Sequence, residues 1–198
     1  MNLAASLKHC LRNLARFDGR DAPGQFWPYT LILIGGVVVS WMVFMVGAMS
    51  QAFERMQRFA EEHPDQATVT RGPGSYSIQI EGHHPELMPD MTPMIGVMAV
   101  IVSVFVILVA AAVVRRLHDS DMRGWPALVP LALLASGLAM MARMFGSFGR
   151  VEGPDMSLFM WAFANNIVYL ASLGWLIYLL ARRGTPTDNR FGPPPATA

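Results

Sequence analysis

The residues best able to do chemistry in this chain lie in three short polar runs. The first is Phe17-Asp18-Gly19-Arg20, followed by Phe26-Trp27. The second is Arg115-Arg116-Leu117-His118-Asp119, followed by Gly124-Trp125. The third is Gly184-Thr185-Pro186, followed by Asn189-Arg190-Phe191-Gly192. On a helix, Arg115 and Asp119 stand at i,i+4 and Arg116 and Asp119 at i,i+3, so either pair can bond on one face. Two arginines joined by Arg20 and Arg190 would make a fork-shaped clamp for an anionic headgroup or a phosphate. His118 beside them could transfer a proton. The plainer alternative is a latch, in which the same Arg, His and Asp side chains satisfy one another and tie helix ends together.

Other chemistry is thinly represented. The single cysteine, Cys10, allows no internal disulfide and no cysteine metal cage. His63, His83 and His84, with Glu81 and Glu86, fit no standard ligand spacing, so no metal site is expected. Met42, Met45, Met49 and Met56 form a stripe that reads as packing or lipid-facing filler. There is no Walker loop, no His-Glu-x-x-His, no Gly-x-Ser-x-Gly and no acid dyad. Accordingly no cofactor, catalytic residue or enzyme activity is expected. A net charge of +1 gives no reason to expect a nucleic-acid partner.

The elements that must position the three runs are membrane spans. The 198 residues are 53% hydrophobic and only 15% charged, against about 25% charged in an ordinary soluble domain. Four stretches carry no Asp, Glu, Lys, Arg or His: Ala22–Phe53, Met91–Val114, Gly124–Ala142 and Met156–Ala181. A bilayer core of about 30 Å needs about 20 apolar residues in a helix, and in lipid the backbone must pair within each segment. The spans are therefore expected at about 27–52, 91–114, 125–143 and 157–181. No cleavable leader is expected, because the first apolar run starts late and is too long. Flanking Lys and Arg orient the helices. Segments 1–25, 115–124 and 182–198 carry ten basic and five acidic residues, a net +5. The other side, segments 53–90 and 144–156 together with Arg143 at the end of the third span, carries five basic and nine acidic residues, a net −4. Both termini are thus expected in the cytoplasm, and all three polar runs then share one side. Trp27, Trp125 and Trp175 fall at that interface and Trp161 at the other.

Outside the spans, Leu3, Leu7, Leu11 and Leu14 recur at helical spacing. They predict an amphipathic helix that lies at the membrane surface, packs on the other polar segments, or both. Cys10 sits on its apolar side and reads as a plain buried thiol. In the long loop, Glu54-Arg55-Met56-Gln57-Arg58 should prolong the first helix to about His63, with Pro64 ending it. Ala67–Thr70 and Tyr76–Ile80 predict a small hairpin. Within the spans, Ser103, Ser136, Asn165 and Asn166 are the residues that a transport path would use.

The three runs resemble the bacterial inner-membrane family known as domain of unknown function 805. Arg-Leu-His-Asp at 116–119 with Gly-Trp at 124–125 carries most of the likeness, supported by Phe-x-Gly-Arg at 17–20, Phe-Trp at 26–27 and the tail from Gly184 to Pro193. The chain departs from the pattern at Pro23 and Gln25, where the family has Arg and Glu. It departs again at Asp121 and Arg123, where Gly and Ser are frequent, and at Thr187 and Phe191, where Gly and Tyr are usual. The resemblance implies a bacterial inner-membrane location and four helices, and brings no substrate or cofactor. The expectation is an all-α membrane protein: a four-transmembrane-helix bundle with an interfacial amphipathic helix and a small extracytoplasmic loop. Arg20, Arg115, Arg116, His118, Asp119 and Arg190 are its candidate anion-binding or latching residues. Phe17, Gly19, Phe26, Trp27, Gly124, Trp125, Asn189 and Gly192 are structural members of the same motifs. Anionic headgroups, a membrane-protein partner or further copies of the chain are the expected partners. A small transporter or channel subunit, and an enzyme acting on an anionic lipid through His118, are the alternatives.

Overall fold

A computed structural model describes residues 3–82, 87, 91–147 and 155–195. The order is α1 (Leu3–Arg12), α2 (Pro23–Glu62), β1 (Ala67–Gly72), β2 (Ser75–Ile80), α3 (Met91–Asp119), α4 (Leu128–Ser147) and α5 (Met156–Ala181). Helices α2 to α5 are long and apolar enough to cross a membrane. Large apolar side chains such as Val43, Val46, Ile107 and Phe163 are exposed along them, as expected of surfaces that meet lipid rather than water.

The helix ends follow from local chemistry. Pro23 opens α2, where its missing N–H is no loss. The Gln25 side chain reaches back to accept from the Ala22 amide at 2.9 Å, half of a capping box. Gln25 therefore does what a glutamate at that position would do. Helix α3 runs on through Asp119, so Arg115 to Asp119 are helical residues and not part of a loop over 115–124. All of them but half-buried His118 are buried against neighbours, which makes continuation of the helix favourable. Leu117 and His118 then close a Schellman motif. Met122 donates to the Leu117 carbonyl and Asp121 to the His118 carbonyl, both at 3.0 Å. Asp121 takes the left-handed position with φ +56°, where glycine is the easy residue. A single 3-10 turn over Trp125–Ala127, with Pro126 in its first positions, leads into α4. Asp155 caps α5 by accepting from the Ser157 and Leu158 amides.

Two compact units form. The first comprises residues 1–37 and 92–198, the second 38–91. In the first, the closest helix pair is α4 with α5. Asn165 of α5 bonds Ser136 at 2.7 Å and the Leu133 carbonyl at 3.0 Å. The buried core lies at one end of these helices, where Cys10, Phe26, Tyr29, Ala112, Leu117 and Leu180 meet. Helix α1 docks there through Ser6 and Cys10, both buried, which face the Gln25 carbonyl. Leu3 and Leu11 stay exposed. The protein-facing side of α1 is thus its small-residue stripe, and part of its leucine face is left outward.

In the second unit, the hairpin pairs Ala67 with Ile80 through Gly72 with Ser75. Pro73 and Gly74, the latter at φ +79°, supply the two dihedrals of a type II turn. Tyr76 seats the hairpin on α2: its ring meets Phe53 edge-on at 5.6 Å and its hydroxyl accepts from Gln57 at 3.4 Å. Met42 and Met49 are exposed on α2. His83, His84 and Glu86 lie outside the described residues. Among the described residues no three His, Cys, Asp or Glu side chains gather as a metal site would need.

Candidate functional site

The three polar runs meet at one end of the first unit, built around the last turn of α3. Adjacent residues on an α-helix point about 100° apart, so Arg115 and Arg116 reach different neighbours. Arg115 donates from Nε to Asp21 Oδ2 at 2.9 Å and from Nη1 to the Asn13 carbonyl at 2.7 Å and the Arg16 carbonyl. It thereby caps the chain as it leaves α1. Arg116 donates from Nε to the Leu180 carbonyl at 2.9 Å, and from Nη2 to the Arg182 carbonyl. It caps the end of α5, where unpaired carbonyls and the helix dipole favour a cation. Its Nη1 also binds Asp119 Oδ2.

Arg20 binds the tail. Its Nη groups donate to the carbonyls of Thr185 (2.5 Å), Thr187 (2.9 Å) and Gly192 (3.2 Å). Its Nε and Nη2 both donate to Asp119 Oδ1, at 3.1 and 2.9 Å. Every N–H of the Arg20 fork thus has an acceptor. Asp119 therefore serves two arginines at once. Asp21 serves Arg115 and, through Oδ1, His9 at 3.0 Å. Burial is nearly complete: the side chains of Arg20, Arg115, Arg116, Asp21 and Asp119 are all at most 4% exposed. One buried donor, Nη2 of Arg115, has no hydrogen-bond partner.

Backbone groups close the same knot. The Asp21 amide donates to the Arg115 carbonyl at 3.2 Å, and the Thr185 amide to the Asp119 carbonyl at 2.8 Å. Asn189 donates from Nδ2 to the His118 carbonyl at 3.0 Å. These bonds satisfy carbonyls that the end of α3 would otherwise leave open. Gly184 lies directly on the Asp119 carboxylate: a Cβ there would come within 2.0 Å of Oδ2. His118 is covered. Its ring stacks on Phe191 with centroids 3.7 Å apart and planes 4° from parallel, and its Nδ1 faces the Gly19 carbonyl at 3.2 Å. The Cys10 thiol is pushed up to about 11, chiefly by burial and secondarily by Asp21, so it is a thiol and not a nucleophilic thiolate near neutral pH.

Of the residues expected here, Gly19, Arg20, Arg115, Arg116, His118, Asp119, Asn189 and Gly192 converge. Arg190 does not join the arginines. It lies at the rim, half exposed, paired with Asp121 at 3.1 Å. Phe26 belongs to the adjoining core, whereas Trp125 is exposed. Phe17, Trp27 and Gly124 lie elsewhere, along an apolar cleft. Asp21 is the member that sequence patterning passed over; Gly184 and Phe191 stand in the third run, but nothing in the sequence pattern marks their contacts with Asp119 and His118. The i,i+3 pair Arg116–Asp119 forms, whereas Arg115 turns to Asp21 instead of Asp119.

The residues in this knot span nearly the whole of a match to one family model, described as a protein of unknown function (DUF805), over residues 14–193. The chain belongs to the DUF805 family. The DUF805 match begins just after α1 and takes in all three polar runs. No curated protein and no solved structure matches the chain. Two residues of this DUF805 chain at which it departs from the expected pattern have local roles: Gln25 accepts from the Ala22 amide at the start of α2, and Asp121 takes the left-handed position after α3.

Proposed function

We propose that this DUF805 protein is a non-catalytic, multi-pass module of the bacterial inner membrane, with both termini in the cytoplasm. Its arginine–aspartate cluster is a latch that fixes the cytoplasmic ends of the helices. The observation that carries this reading is the engagement of Arg20, Arg115 and Arg116. Each is buried, and each is bonded to backbone carbonyls of a different segment: the tail, the end of α1 and the end of α5. An open anion clamp would leave several guanidinium N–H groups facing a cavity, whereas among these three arginines only Nη2 of Arg115 lacks a hydrogen-bond partner, and it is buried. One face of the His118 ring is stacked on Phe191 and its Nδ1 faces the Gly19 carbonyl, contacts that tie it into the same joint. The polar residues that a transport path needs are dispersed. Ser136 and Asn165 bond each other, while Ser103 and Asn166 are exposed on outward faces.

The test is to compare wild type with Arg116→Ala and His118→Ala in gently solubilised form. Native mass spectra report any retained anionic lipid or partner, and thermal unfolding reports stability. A latch predicts a large loss of stability in Arg116→Ala with no ligand mass lost. If a ligand is retained by the wild type and lost from both variants while both remain as stable as wild type, the cluster is a binding site and the latch is wrong. The cytoplasmic placement is tested by labelling cysteines introduced at Asp188 and Asp65 in intact cells, which should react only at Asp65.

A further inference from the structure

Below the latch, the helix ends stand apart around a cleft of about 530 Å³. That is within the range of roughly 300–1,000 Å³ over which proteins hold small ligands. Its walls come from α2, α3, α4 and α5, with Phe17 and Gly124 at the latch end. No charged residue lines it. Thr30 and Tyr169 bring hydroxyl groups, and the Thr30 hydroxyl is engaged with the Phe26 carbonyl at 3.0 Å. Such a site does not hold water or ions well and favours an apolar guest.

Its depth identifies the guest. Along α5 the lining runs from Leu180 to Tyr169, and along α3 from Val114 to Val102. At 1.5 Å per residue these stretches are roughly 16–18 Å long, close to one half of a bilayer core of about 30 Å. A partner transmembrane helix would need a groove running the full span. A single leaflet's depth fits an acyl chain. The lips, Ile34, Leu128, Leu131 and Ile177, are between 40% and 61% exposed, so a chain can slide in sideways from the bilayer. The mouth is basic. Arg123 precedes Gly124, is exposed, and makes no ion pair among the described residues. Arg16 precedes Phe17, and its only ion pair among them is a loose one to exposed Asp18 at 3.5 Å.

We infer that this cleft binds one acyl chain of an anionic phospholipid from the leaflet on the latch side, with the phosphate held at the mouth by Arg123 and Arg16. Arg16 and Arg123 stand next to lining residues in the chain, whereas the latch arginines are already engaged. The lipid site is therefore separate from the latch.

The full-length protein, stripped of co-purified lipid in detergent, is titrated with dioleoyl phosphatidylglycerol or dioleoyl phosphatidylcholine and followed by native mass spectrometry. Wild type should retain one phosphatidylglycerol at least tenfold better than phosphatidylcholine. Ala110→Trp and Leu131→Trp, which fill the cleft from two sides, should each lose at least tenfold in retention of phosphatidylglycerol. Arg123→Gln should keep chain binding but lose most of the preference for phosphatidylglycerol. Leu131 is on an exposed lip, so its variant folds even if Ala110→Trp does not. Helical circular dichroism checks both. Unchanged retention in the folded filled variants overturns the proposal. So does a dimer that the filled variants abolish, because the cleft would then belong to a second copy. Equal retention of the two lipids by wild type overturns the role given to Arg123 and Arg16.

Discussion

Replacing Asp119 by alanine is the sharpest perturbation of the latch. The carboxylate is 4% exposed and accepts two N–H groups from Arg20 and one from Arg116. A hydrogen bond to a charged group contributes about 1.5–3 kcal/mol, so three would sum to well above 4 kcal/mol if nothing else held the arginines. Both keep backbone acceptors, however: Thr185, Thr187 and Gly192 for Arg20, Leu180 and Arg182 for Arg116. The loss is therefore expected near the 3–5 kcal/mol typical of a buried ion pair broken on one side, at about 4 kcal/mol. Asp119→Asn retains an acceptor for Arg20 but turns an amide N–H₂ towards Arg116, and should lose about 2–3 kcal/mol. Arg116→Met combined with Asp119→Ala should be less damaging than the sum of the single changes by at least about 1 kcal/mol, because the uncompensated charge on Arg116 is gone. Unfolding in mixed micelles, titrated with SDS and followed by far-ultraviolet circular dichroism, measures the wild type, the three single variants and the double variant. A loss below about 0.5 kcal/mol for Asp119→Ala, with additive double changes, would mean that the side chains are solvated like surface pairs and would refute the argument.

Gly184→Ala should destabilise the latch by about 1–3 kcal/mol through overpacking on the carboxylate. Gly124→Ala should cost less, because its Cβ would meet Val114 Cγ2 at 2.9 Å; the same titration ranks the two. At Asp121, φ +56° predicts that Asp121→Gly is more stable than Asp121→Ala by about 1 kcal/mol, and equal stabilities would contradict the Schellman assignment. Cys10 should resist maleimide near pH 7.5 in the wild type and label rapidly in Asp119→Ala if opening the latch frees α1; mass spectrometry over time reads the difference. The Asp155 carboxyl is held below the usual carboxylate range, first by the Ser157 hydroxyl and next by the Leu158 amide. Its capping contribution is therefore present above the ordinary carboxyl pKa and lost as pH falls through the lower folded value. Protection of the Ser157 and Leu158 amides from hydrogen exchange, relative to their intrinsic rates, should fall in that acid window in the wild type, and be low at all pH values in Asp155→Ala.

The spans were legible because each lacks charge for a full bilayer's length, a signal that needs no tertiary information. The hairpin was legible from Pro73-Gly74 between β-type runs. The place of the cluster was also readable, since three motif runs at span ends share one side. Its wiring was not. Arg115 and Arg116 look equivalent in sequence, and only the 100° turn between them and the neighbours they meet separates a cap for α1 from a cap for α5. Most acceptors are backbone carbonyls, which every residue has and no motif marks. Asp21 stood out only as a charge beside Arg20. Gly184 gave no hint of the carboxylate lying on it. The cleft is a property of how far apart helices stand, which side-chain types do not encode directly.

The latch joins the first part of the chain to the last. Arg20 bonds residues 165 to 172 positions further on, and Arg116 bonds carbonyls beyond Leu179. During synthesis Arg20 and Arg116 are made well before those acceptors exist. Until α5 has entered the bilayer and the tail has been released, the earlier helices carry unfilled guanidinium groups that must remain in water at the membrane surface. The knot as described can close only once the end of α5 and the tail have been made, because they supply these acceptors. A chain without its last helix would leave Arg116 without the Leu180 and Arg182 carbonyls that it bonds here.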